Sequence, residues 1–177
     1  LVVLHPSQAT LFRYGKVQKE RSSFESRLLA ANDLPAETRD GVRVTLRANI
    51  EKADEVALVR QYRAEGVGLY RTEYLYLSGN RLPSEEEQYE NYRAIAEGLA
   101  PAPVTIRTLD IGGDKPLPSS PHLIGPEANP FLGFRALRMC LDNPSLFKEQ
   151  LRAILRASAH GKVEVMYPMV GSADELE

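Results

Sequence analysis

Strand-like and helix-like patterns take turns along this chain, and that alternation narrows the possible folds more than any other property. From Gly41, the residues Val42, Val44, Leu46 and Ala48 alternate with Arg43, Thr45, Arg47 and Asn49, the two-residue period of a strand. Asp54 opens a helical stretch carrying Val56, Val59 and Tyr62, with Gly66 read as its C-terminal cap. A short apolar strand, Gly66-Val-Gly-Leu-Tyr-Arg71, follows. Pro83-Ser84-Glu85-Glu86-Glu87 starts the next helix, with Ser84 and Glu87 spaced as a capping box. Tyr89, Tyr92, Ile95, Ala96 and Leu99 form its expected buried face, and Pro101 stops it. A third strand, 104–111, runs into Gly112-Gly113-Asp114-Lys115. Seven of the twelve prolines lie between 101 and 130, so 113–130 reads as irregular. Two helices are expected next. One covers 131–141; the other begins with Asn143 as cap and Pro144 in its first turn, buries Phe147, Leu151, Ile154 and Leu155, and ends at Gly161. A fourth strand, 163–168, precedes Gly-Ser-Ala-Asp-Glu-Leu, which reads as a further helix opening.

Strand, helix, strand, helix implies parallel strands with helices packed outside them. An open doubly wound sheet and a (β/α)8 barrel both satisfy this. No G-x-G-x-x-G lies between a first strand and a helix, which removes the main signal of the dinucleotide-binding version. A complete barrel takes about 250 residues, so four units are expected to be the N-terminal half of one, over 35–177. Ahead of it, 1–34 reads as a linker helix, with Leu11, Tyr14, Val17, Phe24 and Leu28 at helical spacing and Asn32-Asp33-Leu34-Pro35 closing it. A start at Leu1 and an end just after a helix opening suggest a piece of a longer protein.

Charge and cysteine content bound the partners. The 22 Lys+Arg against 24 Asp+Glu leave −2, so nothing global draws the chain to nucleic acid or an anionic membrane. No apolar run reaches the roughly 18 residues of a membrane span, and no signal peptide is visible. A single cysteine makes no intramolecular disulfide, which suits a reducing, cytoplasmic location. The basic side is lopsided, with sixteen Arg and six Lys, and Arg is the better fork for carboxylates and phosphates.

In a barrel the functional groups sit at the C-terminal ends of strands. Those positions hold Asn49, then Arg71-Thr72-Glu73, then Arg107-Thr108-Leu109-Asp110, then Tyr167-Pro168. Arg71 and Arg107 thus end neighbouring strands about 4.8 Å apart. Two guanidiniums so close need anionic partners, either internal carboxylates such as Glu73 or Asp110, or a phosphate or carboxylate ligand; spacing leaves both open. Gly112-Gly113-Asp114-Lys115 is either a tight turn or a place where backbone amides and Lys115 approach an anion. Arg135 stands at a helix start, where a cation needs something negative nearby or solvation. Cys140 reads as a small buried hydrophobe. His5, His122 and His160 form no cluster with metal-ligand spacing, and His160 suits a helix end as a cation.

The runs Gly66-Val-Gly-Leu-Tyr-Arg-Thr-Glu73, Arg107-Thr-Leu-Asp-Ile-Gly-Gly-Asp-Lys115 and Asn129-Pro-Phe-Leu-Gly-Phe-Arg-Ala-Leu-Arg138 resemble Enzyme I, the phosphoenolpyruvate–protein phosphotransferase family of the bacterial sugar phosphotransferase system. Glu149-Gln-Leu-Arg-Ala-Ile-Leu-Arg-Ala-Ser158 and Met166-Tyr-Pro-Met169 agree, and the likeness runs from about Leu34 onward. The resemblance implies the phosphoenolpyruvate-binding (β/α)8 domain, with Arg71, Arg107, Lys115 and Arg135 lining the substrate site. It also implies phosphoryl transfer to a histidine of an upstream domain and on to a histidine phosphocarrier protein, Mg²⁺ held by acidic residues of later strands, and a homodimer. On this reading His5, His122, His160 and Cys140 inherit no catalytic role, and the 177 residues alone are expected to be inactive. Pyruvate phosphate dikinase and phosphoenolpyruvate synthase share the G-x-G-L-x-R-T-E strand, but Asp110-Ile-Gly-Gly-Asp-Lys115 fits Enzyme I better. A regulatory paralogue of the nitrogen branch, acting in signalling, is not separated by these residues.

Overall fold

The computed structural model describes residues 4–112 and 132–176. The chain divides into two compact units between Val44 and Thr45, ten residues beyond the turn at Leu34 and Pro35.

The first unit is built on α1 (Gln8–Ala31). Ser7 caps it, accepting the Thr10 N–H on its hydroxyl at 3.2 Å. Asn32 closes it, three residues before Pro35, as the helix-breaking run requires. No residue of α1 is buried. After it the chain turns back on itself. Val42 N–H donates to Thr38 Oγ1 (3.0 Å), Val44 N–H donates to the Ala36 carbonyl (2.8 Å), and Gly41 supplies the left-handed φ of 84° that the turn demands. This corrects the strand expected from Gly41. The alternation is real, but local partners take the backbone groups of 42–44. A sheet neighbour is reached only at Ala48, so β1 is confined to Ala48–Ile50.

The second unit carries a four-stranded sheet, β1 (Ala48–Ile50), β2 (Val67–Arg71), β3 (Val104–Arg107) and β4 (Val163–Met166), in sequential order and parallel throughout. Parallel neighbours require a crossover between them. These are α2 (Val56–Gln61), then α3 (Glu73–Leu77) with α4 (Glu85–Leu99), then α5 (Leu137–Asp142) with α6 (Pro144–Ala157). The capping box at Ser84 forms in both directions.

The core lies between the sheet and these helices. Val67, Tyr70, Val104 and Ile106 meet Tyr92, Ile95, Ala96 and Leu99 of α4 and Ala153, Ile154 and Ala157 of α6. Alternation along the strand sends Thr105 and Arg107 to the other face. There Thr105 donates its hydroxyl hydrogen to Glu164 at 2.8 Å, and Arg47 pairs with the same carboxylate. A second cluster, Tyr76, Leu109, Ile111, Met139 and Cys140, packs beyond the strand ends.

Several boundaries move. Helix α2 ends at Gln61 with Tyr62 as its C-cap, and Arg63 takes the left-handed turn at φ 52°, so Gly66 is not its cap. Gly66 instead opens β2 at φ 144°, where a Cβ would stand 2.5 Å from the Pro103 carbonyl. Strand β3 stops at Arg107, because Leu109 N–H turns to the side chain of Gln150; β4 stops at Met166. Of the helix expected over 131–141, the described part begins at Leu137, since Ala136 lies at φ 52° and gives its N–H to Ile111. On α6 the buried residues are Gln150, Ala153, Ile154 and Ala157, whereas Leu155 is 67 % exposed. Pro144 sits in the first turn as expected, but the Asn143 side chain donates back to Met139 rather than capping α6.

Candidate functional site

The two arginines that end β2 and β3 stand side by side: Arg71 and Arg107 are register partners, and Arg107 pairs onward with Met166 of β4. Parallel pairing puts all the strand C-termini at one end, so the residues following each strand collect there.

Arg107 is held at two nitrogens. Its Nη2 donates to Glu73 Oε1 at 2.6 Å, and its Nη1 lies 3.1 Å from Asp110 Oδ2. Asp110 then receives Arg135 through both Nη2 (2.8 Å) and Nε (3.2 Å) of that guanidinium. Glu73 is 5 % exposed, in the first turn of α3 rather than in the loop expected after β2. Arg71 stands apart from this chain of pairs, with its Nη1 on Glu51 Oε1 at 2.7 Å and both side chains about half exposed. Both internal carboxylates foreseen as partners are therefore engaged. Arg135 is paired rather than solvated, in keeping with the negative neighbour its place before α5 requires.

Gly112 explains how Arg135 gets there. At φ 140° it leaves the room a Cβ would take, and Arg135 Cβ and the Phe134 carbonyl fill it. The first glycine of the pair thus serves close approach of two segments. Lys115, the remaining expected site residue, and His122 lie outside the described residues.

The described charges balance. Arg71, Arg107 and Arg135 face Glu51, Glu73 and Asp110, three against three. Among the described residues, Arg107 Nε and, one residue on, Thr108 Oγ1 are buried without a hydrogen-bond partner. Asn49 is exposed on β1, and Tyr167 lies edge-on to Phe147 with ring centroids 6.2 Å apart. Among the described residues, no group of three or more His, Cys, Asp or Glu side chains is arranged to hold a metal.

Cys140 is buried 31 residues beyond Leu109, whose carbonyl its Sγ approaches at 3.9 Å. Burial, with Asp110 nearby, pushes its thiol up to about 12. His160 is read differently than expected. Besides ending the helix, it places Nε2 3.0 Å from the Tyr89 hydroxyl and Nδ1 3.1 Å from Glu97.

Two residues of this region escaped the sequence reading. Glu51 sits one residue past β1, where the strand-end rule would have found it had the strand been bounded correctly. Gln150 carried no signal, because a glutamine on a helix reads as solvated.

Comparison with known proteins completes the picture. The family described as "PEP-utilising enzyme, PEP-binding domain" matches residues 25–177. Proteins named phosphoenolpyruvate-protein phosphotransferase from Staphylococcus carnosus, Geobacillus stearothermophilus and Listeria innocua are 45 %, 44 % and 42 % identical to it, each over 99 % of this chain. The chain spans about 30 % of the length of these relatives. No described helix is long and apolar enough to cross a membrane.

Proposed function

The chain belongs to the PEP-utilising enzymes, as part of their PEP-binding domain, and from that premise we propose that it is the phosphoenolpyruvate-binding portion of a phosphoenolpyruvate–protein phosphotransferase. One observation carries this reading: Arg71 and Arg107 lie in register at the C-terminal ends of adjacent parallel strands, with Arg135 drawn in through Asp110. Phosphoenolpyruvate offers a phosphate and a carboxylate, the two groups a guanidinium fork fits best. Arg71, Arg107, Arg135 and Lys115 are its proposed ligands.

In the proposed reaction the bond between phosphorus and the enol oxygen breaks and a bond from phosphorus to a histidine nitrogen forms. The enolpyruvate released takes a proton at carbon and becomes pyruvate. The phosphohistidine then serves a histidine phosphocarrier protein. The part given to this chain is positioning and charge stabilisation, which dominate phosphoryl transfer. Arg71 is the accessible fork, with nitrogens beyond the one on Glu51; Arg107 keeps Nε uncommitted. Because the described site is neutral, an incoming polyanion needs further positive charge. Lys115 is one source. Mg²⁺ is the other, with acidic ligands proposed elsewhere in the full-length protein.

The same reading carries the architecture. Residues 35–177 are proposed as the first half of a (β/α)8 barrel, which four sequential parallel strands with outer helices support, and 1–34 as the linker helix from a phosphohistidine domain. The full-length protein is proposed as a cytoplasmic homodimer serving sugar uptake. Titration of the full-length protein with phosphoenolpyruvate tests the site: Arg107→Ala should lower affinity at least tenfold, given the roughly 1.5–3 kcal/mol of a hydrogen bond to a charged group. Wild-type affinity in that variant would overturn the assignment.

A further inference from the structure

Beneath the arginines runs a buried chain of polar side chains that the reaction does not use. Gln150 of α6 is 1 % exposed. Its Oε1 accepts the Leu109 N–H at 2.9 Å, and its Nε2 donates to Thr72 Oγ1 and to the Tyr92 hydroxyl, both at 3.3 Å. Thr72 donates its own hydroxyl hydrogen to the carbonyl of Arg107 at 3.0 Å. Tyr92 and Tyr76 both donate to Gln88 Oε1, whose Nε2 ends on the Pro83 carbonyl. Buried polar groups satisfied this fully rigidify what they touch.

What Gln150 touches is the backbone on either side of the site. Thr72 lies between Arg71 and Glu73. Leu109 precedes Asp110, the carboxylate shared by Arg107 and Arg135. One amide side chain thus bridges the segments that follow β2 and β3. We propose that Gln150 is the positioning residue of this site, fixing Thr72 and Leu109 so that Arg71, Arg107 and Arg135 converge on a ligand anion. The inference rests on the reading of the site as a phosphoenolpyruvate site. It is supported by the geometry, since α6 has no other fully buried polar side chain. An amide alone supplies an acceptor for a backbone N–H and two donors for hydroxyls at this point.

The test uses the full-length protein and phosphoenolpyruvate as titrant. Gln150→Met keeps the length and removes all three bonds; it should weaken phosphoenolpyruvate binding about tenfold at a temperature where circular dichroism shows the protein folded. Tyr76→Phe, which loses a buried hydrogen bond in the same chain without touching Gln150, should lower the melting temperature yet bind like wild type. Native affinity in folded Gln150→Met, or an equal loss in Tyr76→Phe, would overturn the positioning role. Should Gln150→Met not fold, Gln150→Glu replaces it: a neutral acid keeps one acceptor and one donor. Its affinity should fall with rising pH more steeply than that of wild type, and a parallel profile would overturn the proposal. Arg107→Ala, run alongside, separates the two claims. If it binds normally, the site reading itself fails; if it loses binding while folded Gln150→Met does not, only the positioning role fails.

Discussion

Arg107 shares its two terminal nitrogens between Glu73 and Asp110, so its geometry depends on a planar fork rather than on charge alone. Lysine in its place keeps one positive centre and loses the second direction. Arg107→Lys should therefore restore little of the turnover lost in Arg107→Ala, as pyruvate release by the full-length protein would show; near-normal kinetics would refute the fork. Arg71→Lys should likewise restore little, since the phosphate and carboxylate of the proposed ligand both suit a planar fork. Cys140 makes the opposite case. Its sequence setting on an apolar helix face points to packing, and its 1 % exposure and a thiol pushed up to about 12 agree. Ellman's reagent at pH 8 should leave folded protein unlabelled and react with one thiol per chain after denaturation. Gln150 was invisible because its role depends on which backbone N–H the fold brings to it.

Elements with local punctuation were legible, and those defined by a neighbour were not. The capping box at Ser84 and Glu87 is read within four residues and is present. Ser84→Ala should cost about 1 kcal/mol of stability, seen as a lower melting temperature. Glu87 also carries Arg81, and that hydrogen bond first, then the Ser84 backbone and hydroxyl, lowers its pKa from 4.5 to about 2. A carboxylate with a depressed folded value contributes stability above pH 4.5 and loses it as pH falls toward 2. Acid titration of Glu87→Gln should therefore show a shallower loss over that window than wild type. Strand β1, in contrast, is far shorter than its sequence alternation. Alternation in 42–48 marks a chain able to lie in a sheet, yet pairing needs a partner, and Gly66 meets it only at Ala48.

At the scale of the molecule, the outer strands β1 and β4 each pair on one side only among the described residues. Unpaired parallel edges template further pairing, and the face of the sheet away from the helices carries Met166 at 37 % exposure. The purified 177-residue chain should self-associate at micromolar concentration. Light scattering would show a dimer or larger; a cooperatively folding monomer of 19.7 kDa would refute it. The same preparation should release no pyruvate from phosphoenolpyruvate and phosphocarrier, and magnesium-dependent release would count against the division of labour proposed above.

The order of strands and helices, the parallel class and the arginines at strand ends were decided by the sequence alone. Apolar period, caps and prolines act over a few residues, and crossover length forces parallel pairing. Tertiary structure decided the rest. Helix α6 turned Gln150 rather than Leu155 inward, because which stripe faces the core is set by α4 and the sheet, not by α6. It also decided how the arginines are neutralised. Glu51, Glu73 and Asp110 lie 20, 34 and 25 residues from Arg71, Arg107 and Arg135, and electrostatic pairing follows distance in space.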